Sequence, residues 1–174
     1  MDAETAGTAP SAAPPRRRTG ARWALIGVVA VAVVALDQLT KWWALDELDT
    51  RTIDLPWTLR LNLTLNRGAA FGLGSKYAPV IALAAVCVVV IVLGTTRGLD
   101  ARWPRVGVGL VLGGALGNLA DRVFREGSGV LGGAVVDFID LQWWPVFNVA
   151  DAAVCVGAVL LVLTAAREPA ASEE

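Results

Sequence analysis

Between Tyr77 and Gly94 the chain carries no charged residue. The apolar core of a bilayer is about 30 Å thick and takes roughly 20 apolar residues to cross as a helix. A backbone inside it must satisfy its own hydrogen bonds. Three further apolar runs, Trp23 to Trp43, Val106 to Phe124 and Val146 to Ala166, leave little of the 174 residues for a soluble domain. Charged residues make up 18% of the chain and gather between these runs, against about a quarter in soluble domains. The pattern predicts an all-α polytopic membrane protein with four transmembrane helices. One membrane domain, residues 22–167, is expected between disordered tails, residues 1–21 and 168–174.

The first run follows Arg16, Arg17, Arg18 and Arg22, as a secretory or twin-arginine signal would. No small-residue cleavage site comes after it. The run continues instead through Asp37, Gln38 and Lys41 to Trp42 and Trp43, residues suited to a membrane interface. Four spans place both termini on one side, together with the Arg97, Arg102 and Arg105 loop. The positive-inside rule makes that side the cytoplasm. Glycines at 107, 109, 113, 114 and 117 in the third span predict close helix packing.

From Trp57 to Asn66 apolar and polar residues alternate strictly, which predicts a strand with one apolar face. It is expected in a small amphipathic β-sheet on the extracytoplasmic surface. Gly127 to Gly133 reads as a flexible loop ahead of the short apolar run Ala134 to Leu141. Cys87 and Cys155 lie in apolar runs and read as small core residues. The net charge of −1 argues against nucleic acid as a partner.

Ionisable groups inside spans are costly and usually face a bundle interior or a watery cavity. Asp37 and Lys41 are four apart in the first span; Asn118, Asp121 and Arg122 share a face of the third; Asn148 and Asp151 open the fourth, and Asp137 precedes it. With the predicted topology, all three clusters fall near the outer surface. Polar groups at one depth argue against a permeation path through the membrane. A membrane scaffold that binds partners through the glycine-rich third span is the other alternative, and it would tolerate loss of either acid. The chain has no His, so carboxylates are the available acid–base groups, and no metal or cofactor motif is present. Two carboxylates facing each other share a proton, one activating water and the other hydrogen-bonding a scissile carbonyl. The residues alone leave open whether Asp137 or Asp121 partners Asp151.

Five stretches in order, D-Q-L-T-K (Asp37 to Lys41), N-R-G-A-A-F (Asn66 to Phe71), G-N-L-A-D-R (Gly117 to Arg122), V-V-D-F (Val135 to Phe138) and F-N-V-A-D (Phe147 to Asp151), resemble bacterial lipoprotein signal peptidase, or signal peptidase II. The resemblance covers residues 23–166. It implies a membrane aspartic endopeptidase that removes the signal peptide from diacylglyceryl-modified prolipoproteins, cutting before the lipidated cysteine. It further implies a monomer in the inner membrane whose partners are that substrate and membrane lipids, with no cofactor. By the same match Asp137 and Asp151 look like the catalytic pair. Asp37, Lys41, Asn66, Gly68, Asn118, Asp121, Arg122 and Asn148 look like the supporting polar and substrate-binding shell, with Arg122 a candidate to hold Asp121 ionised.

Overall fold

The computed structural model describes residues 19–67, 101–127 and 131–165. The expected second span, Gly68, Cys87 and both chain termini lie outside these residues. Three helices, α1 (Thr19–Glu47), α2 (Arg102–Phe124) and α3 (Val149–Ala165), pack around α2. Among the described residues α1 and α2 are long and apolar enough to cross a membrane, while α3 is shorter. The 29 residues of α1 rise about 43 Å, so this helix exceeds the predicted span at both ends. Most of its apolar surface is exposed, with Val28, Val31, Leu36 and Leu39 turned outward.

The glycines of α2 bring its neighbours in on two sides. A Cβ at Gly113 would sit 2.7 Å from the Ala30 carbonyl oxygen of α1, and one at Gly114 would sit 2.4 Å from that of Ala150 on α3. Neither neighbour is a flexible side chain, so only glycine permits this spacing. Cys155 departs from the expected core position: it lies on the exposed side of α3 beside Val156 and Val159, because α2 takes the opposite face.

A three-stranded antiparallel sheet in the order β1-β2-β3 caps one end of the helices. Its strands are β1 (Ile53–Asp54), β2 (Arg60–Asn66) and β3 (Val135–Asp140). Val136 and Phe138 of β3 pack with Ala44 and Leu48 at the end of α1. The short apolar run at Ala134 to Leu141 is therefore the strand that carries Asp137.

The expectation of a single apolar face on β2 does not hold. Leu61 pairs with Ile139 and Thr64 with Asp137, so one extra residue is accommodated between these pairs. Residues directly opposite in a sheet project from the same face. An unbroken ladder from Leu61 would set Leu63 opposite Asp137 and Leu65 opposite Val135. The bulge replaces them with Thr64 and Asn66. The alternation is real in sequence, but the bulge turns the polar half of it toward the carboxylate.

Candidate active site

Lys41 is the centre of the polar cluster. Its side chain is wholly buried, and its ammonium lies 2.8 Å from Asp37 Oδ2 and 2.8 Å from Asp121 Oδ2. A third contact, also 2.8 Å, runs to Asn118 Oδ1. Three acceptors match the three N–H donors of an ammonium. Gln38 adds bonds from Nε2 to Asp37 Oδ2, the Gly117 carbonyl and Asp121 Oδ1, and Arg125 Nε donates to Asp121 Oδ1 at 2.7 Å. A Cβ at Gly117 would lie 2.6 Å from Asp37 Oδ2, so glycine makes room for this carboxylate.

Asp137 and Asp151 are held differently. Asp137 Oδ1 accepts from Asn148 Nδ2 at 2.7 Å and Oδ2 from Asn66 Nδ2 at 3.0 Å. Asp151 Oδ1 accepts from Asn118 Nδ2 at 2.7 Å and Oδ2 from the Asn148 backbone N–H at 3.3 Å. All four donors are neutral amides. Among the described residues neither acid has an ion-pair partner, whereas Asp37 and Asp121 both do. Asn148 reaches both acids, and its Nδ2 also lies 3.1 Å from Asn118 Oδ1, closing a ring of amides around the pair. Every buried side-chain N and O among the described residues has a partner.

Asp137 is 2% exposed. Burial, with the nearby charge of Asp151 second, pushes its carboxyl up to about 7 against the partial relief given by Asn66 and Asn148. Asp151 is less enclosed. Two acids bound only by neutral donors, one of them pushed toward neutrality, are suited to sharing a proton.

Residues 29–167 match the family described as signal peptidase (SPase) II. The chain is 46% identical over 153 residues to the lipoprotein signal peptidase of Rhodococcus jostii (strain RHA1), covering 87% of this chain and 77% of that one. It is 45% identical over 169 residues to the enzyme of the same name from Mycobacterium avium (strain 104), covering 91% and 85%. This chain belongs to the signal peptidase II family. As a member it is an aspartic endopeptidase of the bacterial inner membrane that cleaves lipoprotein signal peptides. Two solved bacterial membrane enzymes share its fold. One has a TM-score of 0.68 at 27% identity over 87% of this chain and 96% of its own; the other has 0.67 at 26% identity over 90% and 94%.

The peptidase brings Asp37, Lys41, Asn66, Asn118, Asp121, Arg122, Asp137, Asn148 and Asp151 into one connected cluster. Gly68 lies outside the described residues. Arg122 makes no direct ion pair with Asp121, although its charge lies near that acid and Asp137. Its Nη1 donates to the carbonyls of Asn66 and Gly133, while Lys41 and Arg125 pair with the acid. Asp121 is four residues from Arg125 and so shares its helix face, whereas the adjacent Arg122 points along another. Gln38, Arg125 and Gly133 were not picked out from sequence. Gln38 lies within the D-Q-L-T-K stretch, and Arg125 at i+4 from Asp121; both signals were present. Gly133 has none, because only the approach of the Asp121 and Arg125 carbonyls to its Cα, within 2.4 and 2.8 Å of a built Cβ, requires glycine there.

Proposed function

We propose that Asp137 and Asp151 are the catalytic pair of this peptidase and that Asp37 and Asp121 are structural. The observation that carries the reading is the difference in partners: the first two acids accept only from neutral amides, the other two from cations. A carboxylate bound to a buried ammonium is engaged by that partner rather than by a substrate. A pair with no cation in direct contact can hold one proton between its members.

Asp137 keeps that proton and hydrogen-bonds the scissile carbonyl, and ionised Asp151 removes a proton from the attacking water. Oxygen–carbon bond formation gives a tetrahedral intermediate. Proton transfer from Asp151 to the leaving nitrogen breaks the carbon–nitrogen bond, giving the new carboxyl and amine ends and leaving Asp137 protonated and Asp151 ionised as at the start. The amide ring of Asn66, Asn118 and Asn148 fixes both carboxyls during these transfers.

The substrate in this reading is a diacylglyceryl-modified prolipoprotein, cut before the lipidated cysteine. The lipid stays in the bilayer, so the peptide bond must be cut near the membrane surface. Trp43, at the end of α1, meets Phe138 of β3 edge-on with ring centroids 6.2 Å apart, and Trp57 is 98% exposed at the turn before β2. Indoles favour the headgroup region, which supports a site at that depth. The reading includes four spans, with the apolar run Tyr77 to Gly94 as the second, cytoplasmic termini and a monomeric enzyme.

The test is a gel-shift assay on a diacylglyceryl-modified prolipoprotein with purified wild type, Asp137→Asn and Asp151→Asn, each with and without chelator. Release of the signal peptide by wild type alone, unaffected by chelator, is the expected result. Cleavage by either variant at the wild-type rate removes that acid from the mechanism.

A further inference from the structure

We propose that Thr64 binds the substrate main chain beside the scissile bond, its Oγ1–H donating to a peptide carbonyl. The inference deepens the reading of Asp137 and Asp151 as the catalytic pair and rests on it.

The first argument is register. Thr64 stands directly opposite Asp137, and such residues share a face with Cβ atoms about 5 Å apart. A peptide group that touches the Asp137 carboxyl is therefore within reach of the Thr64 hydroxyl. The bulge creates this arrangement, since without the extra residue after Leu61 the position opposite Asp137 belongs to Leu63. A bulge disturbs the ladder, and bulges recur beside active sites, where they re-aim side chains.

The second argument is the state of the hydroxyl. Thr64 is half-buried, and its Oγ1 has no hydrogen-bond partner among the described residues. Thr40 and Thr164, by contrast, both bond back to helix carbonyls. Asn66, two residues on, is already engaged with Asp137 Oδ2. On this face of β2, Thr64 carries the donor that the site has left open.

The third argument concerns the alternatives for holding an extended peptide. The outer edge of β3 is occupied. Phe138 and Ile139 donate to the Phe147 carbonyl, Phe147 donates back to Ile139, and the Val136 N–H is taken by Asp121 Oδ2. A substrate cannot add there as a fourth strand. Among the described residues, side-chain donors on the face of the sheet remain to hold its main chain, and Thr64 is the one directly opposite the acid.

The experiment compares wild type, Thr64→Val, Thr64→Ser and Asp137→Asn on a diacylglyceryl-modified prolipoprotein, with kcat and KM measured across pH. Valine keeps the branched shape a strand favours and removes only the hydroxyl. The expected result is a roughly tenfold fall in kcat/KM for Thr64→Val, the size of one hydrogen bond, carried mainly by KM. Thr64→Ser recovers most of it, and the pH profile stays in place. Wild-type kinetics in Thr64→Val overturn the inference. Equal losses in the Val and Ser variants, or a displaced pH profile, also overturn it, since they mean that Thr64 shapes Asp137 rather than holds substrate. Asp137→Asn separates the failures: if it cleaves normally the pair assignment falls, whereas if it is inactive and Thr64→Val is unimpaired, only the Thr64 inference falls.

Discussion

The backbone N–H of Val136 donates to Asp121 Oδ2 at 3.2 Å, one residue before Asp137. A matching bond lies on the other side of the site: the N–H of Ala150, one residue before Asp151, donates to Asp37 Oδ1 at 2.9 Å. The same ammonium, that of Lys41, bridges Asp37 and Asp121. One cation thus couples two carboxylates, and each carboxylate fixes the backbone next to one acid of the proposed pair. The spacing of Asp137 and Asp151 is set from behind by groups that need never touch substrate.

Replacing Lys41 with Met tests that coupling. The change leaves Asp37 and Asp121 buried without their common cation, and breaking a buried pair from one side costs about 3 to 5 kcal/mol. The thermal midpoint in detergent is expected to fall sharply. Lys41→Met with Asp37→Asn, which removes the carboxylate whose ion-pair partner was Lys41, recovers part of the loss. A Lys41→Met protein as stable as wild type means that the ammonium is not the hub.

The acids should separate by phenotype. Asp137→Asn and Asp151→Asn are expected to lower kcat by about 100-fold or more, as loss of a general acid or base does, while the protein stays folded. Asp37→Asn and Asp121→Asn are expected to lower the thermal midpoint first, with activity lost as a consequence. Unfolding and single-turnover cleavage measured on the four variants check this. Loss of cleavage in a fully stable Asp121→Asn protein counts against its structural role.

Stability should depend on pH through Asp137. Its folded value, about 7, lies above the ordinary 3.8 because of burial first and the Asp151 charge second. A raised carboxyl makes its full contribution below the unfolded value and loses it as pH rises through the folded one. Wild type is therefore expected to lose stability between about pH 4 and pH 7 relative to Asp137→Asn, whose side chain does not titrate. Unfolding of both proteins at pH 5 and pH 8 gives the comparison. Equal pH dependence in the two excludes Asp137 as the titrating group.

The sequence made the location of the site legible for a physical reason. Asp37, Asp121 and Asp151 are acids in apolar segments, and such groups need a common polar interior. Their burial and partners were not legible. The residues alone leave open whether Asp121 or Asp137 partners Asp151; the resemblance points to Asp137, and the ion pairs of Asp121 with Lys41 and Arg125 support that proposal. Lys41 lies 80 residues from Asp121 along the chain, so no local pattern reports that contact. The bulge was hidden for a similar reason. Leu61, Leu63 and Leu65 alternate without interruption, and the slip exists only in pairing with β3. The identity of β3 was likewise obscured, because a strand covered on both faces reads as a continuous apolar run and Asp137 was its only mid-strand break.

Asn66→Leu bears on which acid holds the proton. Asn66 donates to Asp137 Oδ2 and so favours the ionised form, partly opposing burial and the Asp151 charge. Leucine keeps the space filled and dry but donates nothing. Asp137 then binds its proton more tightly, and activity that needs the proton should persist to higher pH. The alkaline limb of kcat/KM, which reports the free enzyme's essential acid as a property of the coupled pair, is expected to move upward. Turnover falls at the same time, because the carboxyl loses one of the bonds that orient it. A pH–rate profile of wild type and Asn66→Leu on the same substrate decides the matter. An alkaline limb that stays in place while the rate falls means that Asp137 does not carry the proton, and passes that role to Asp151.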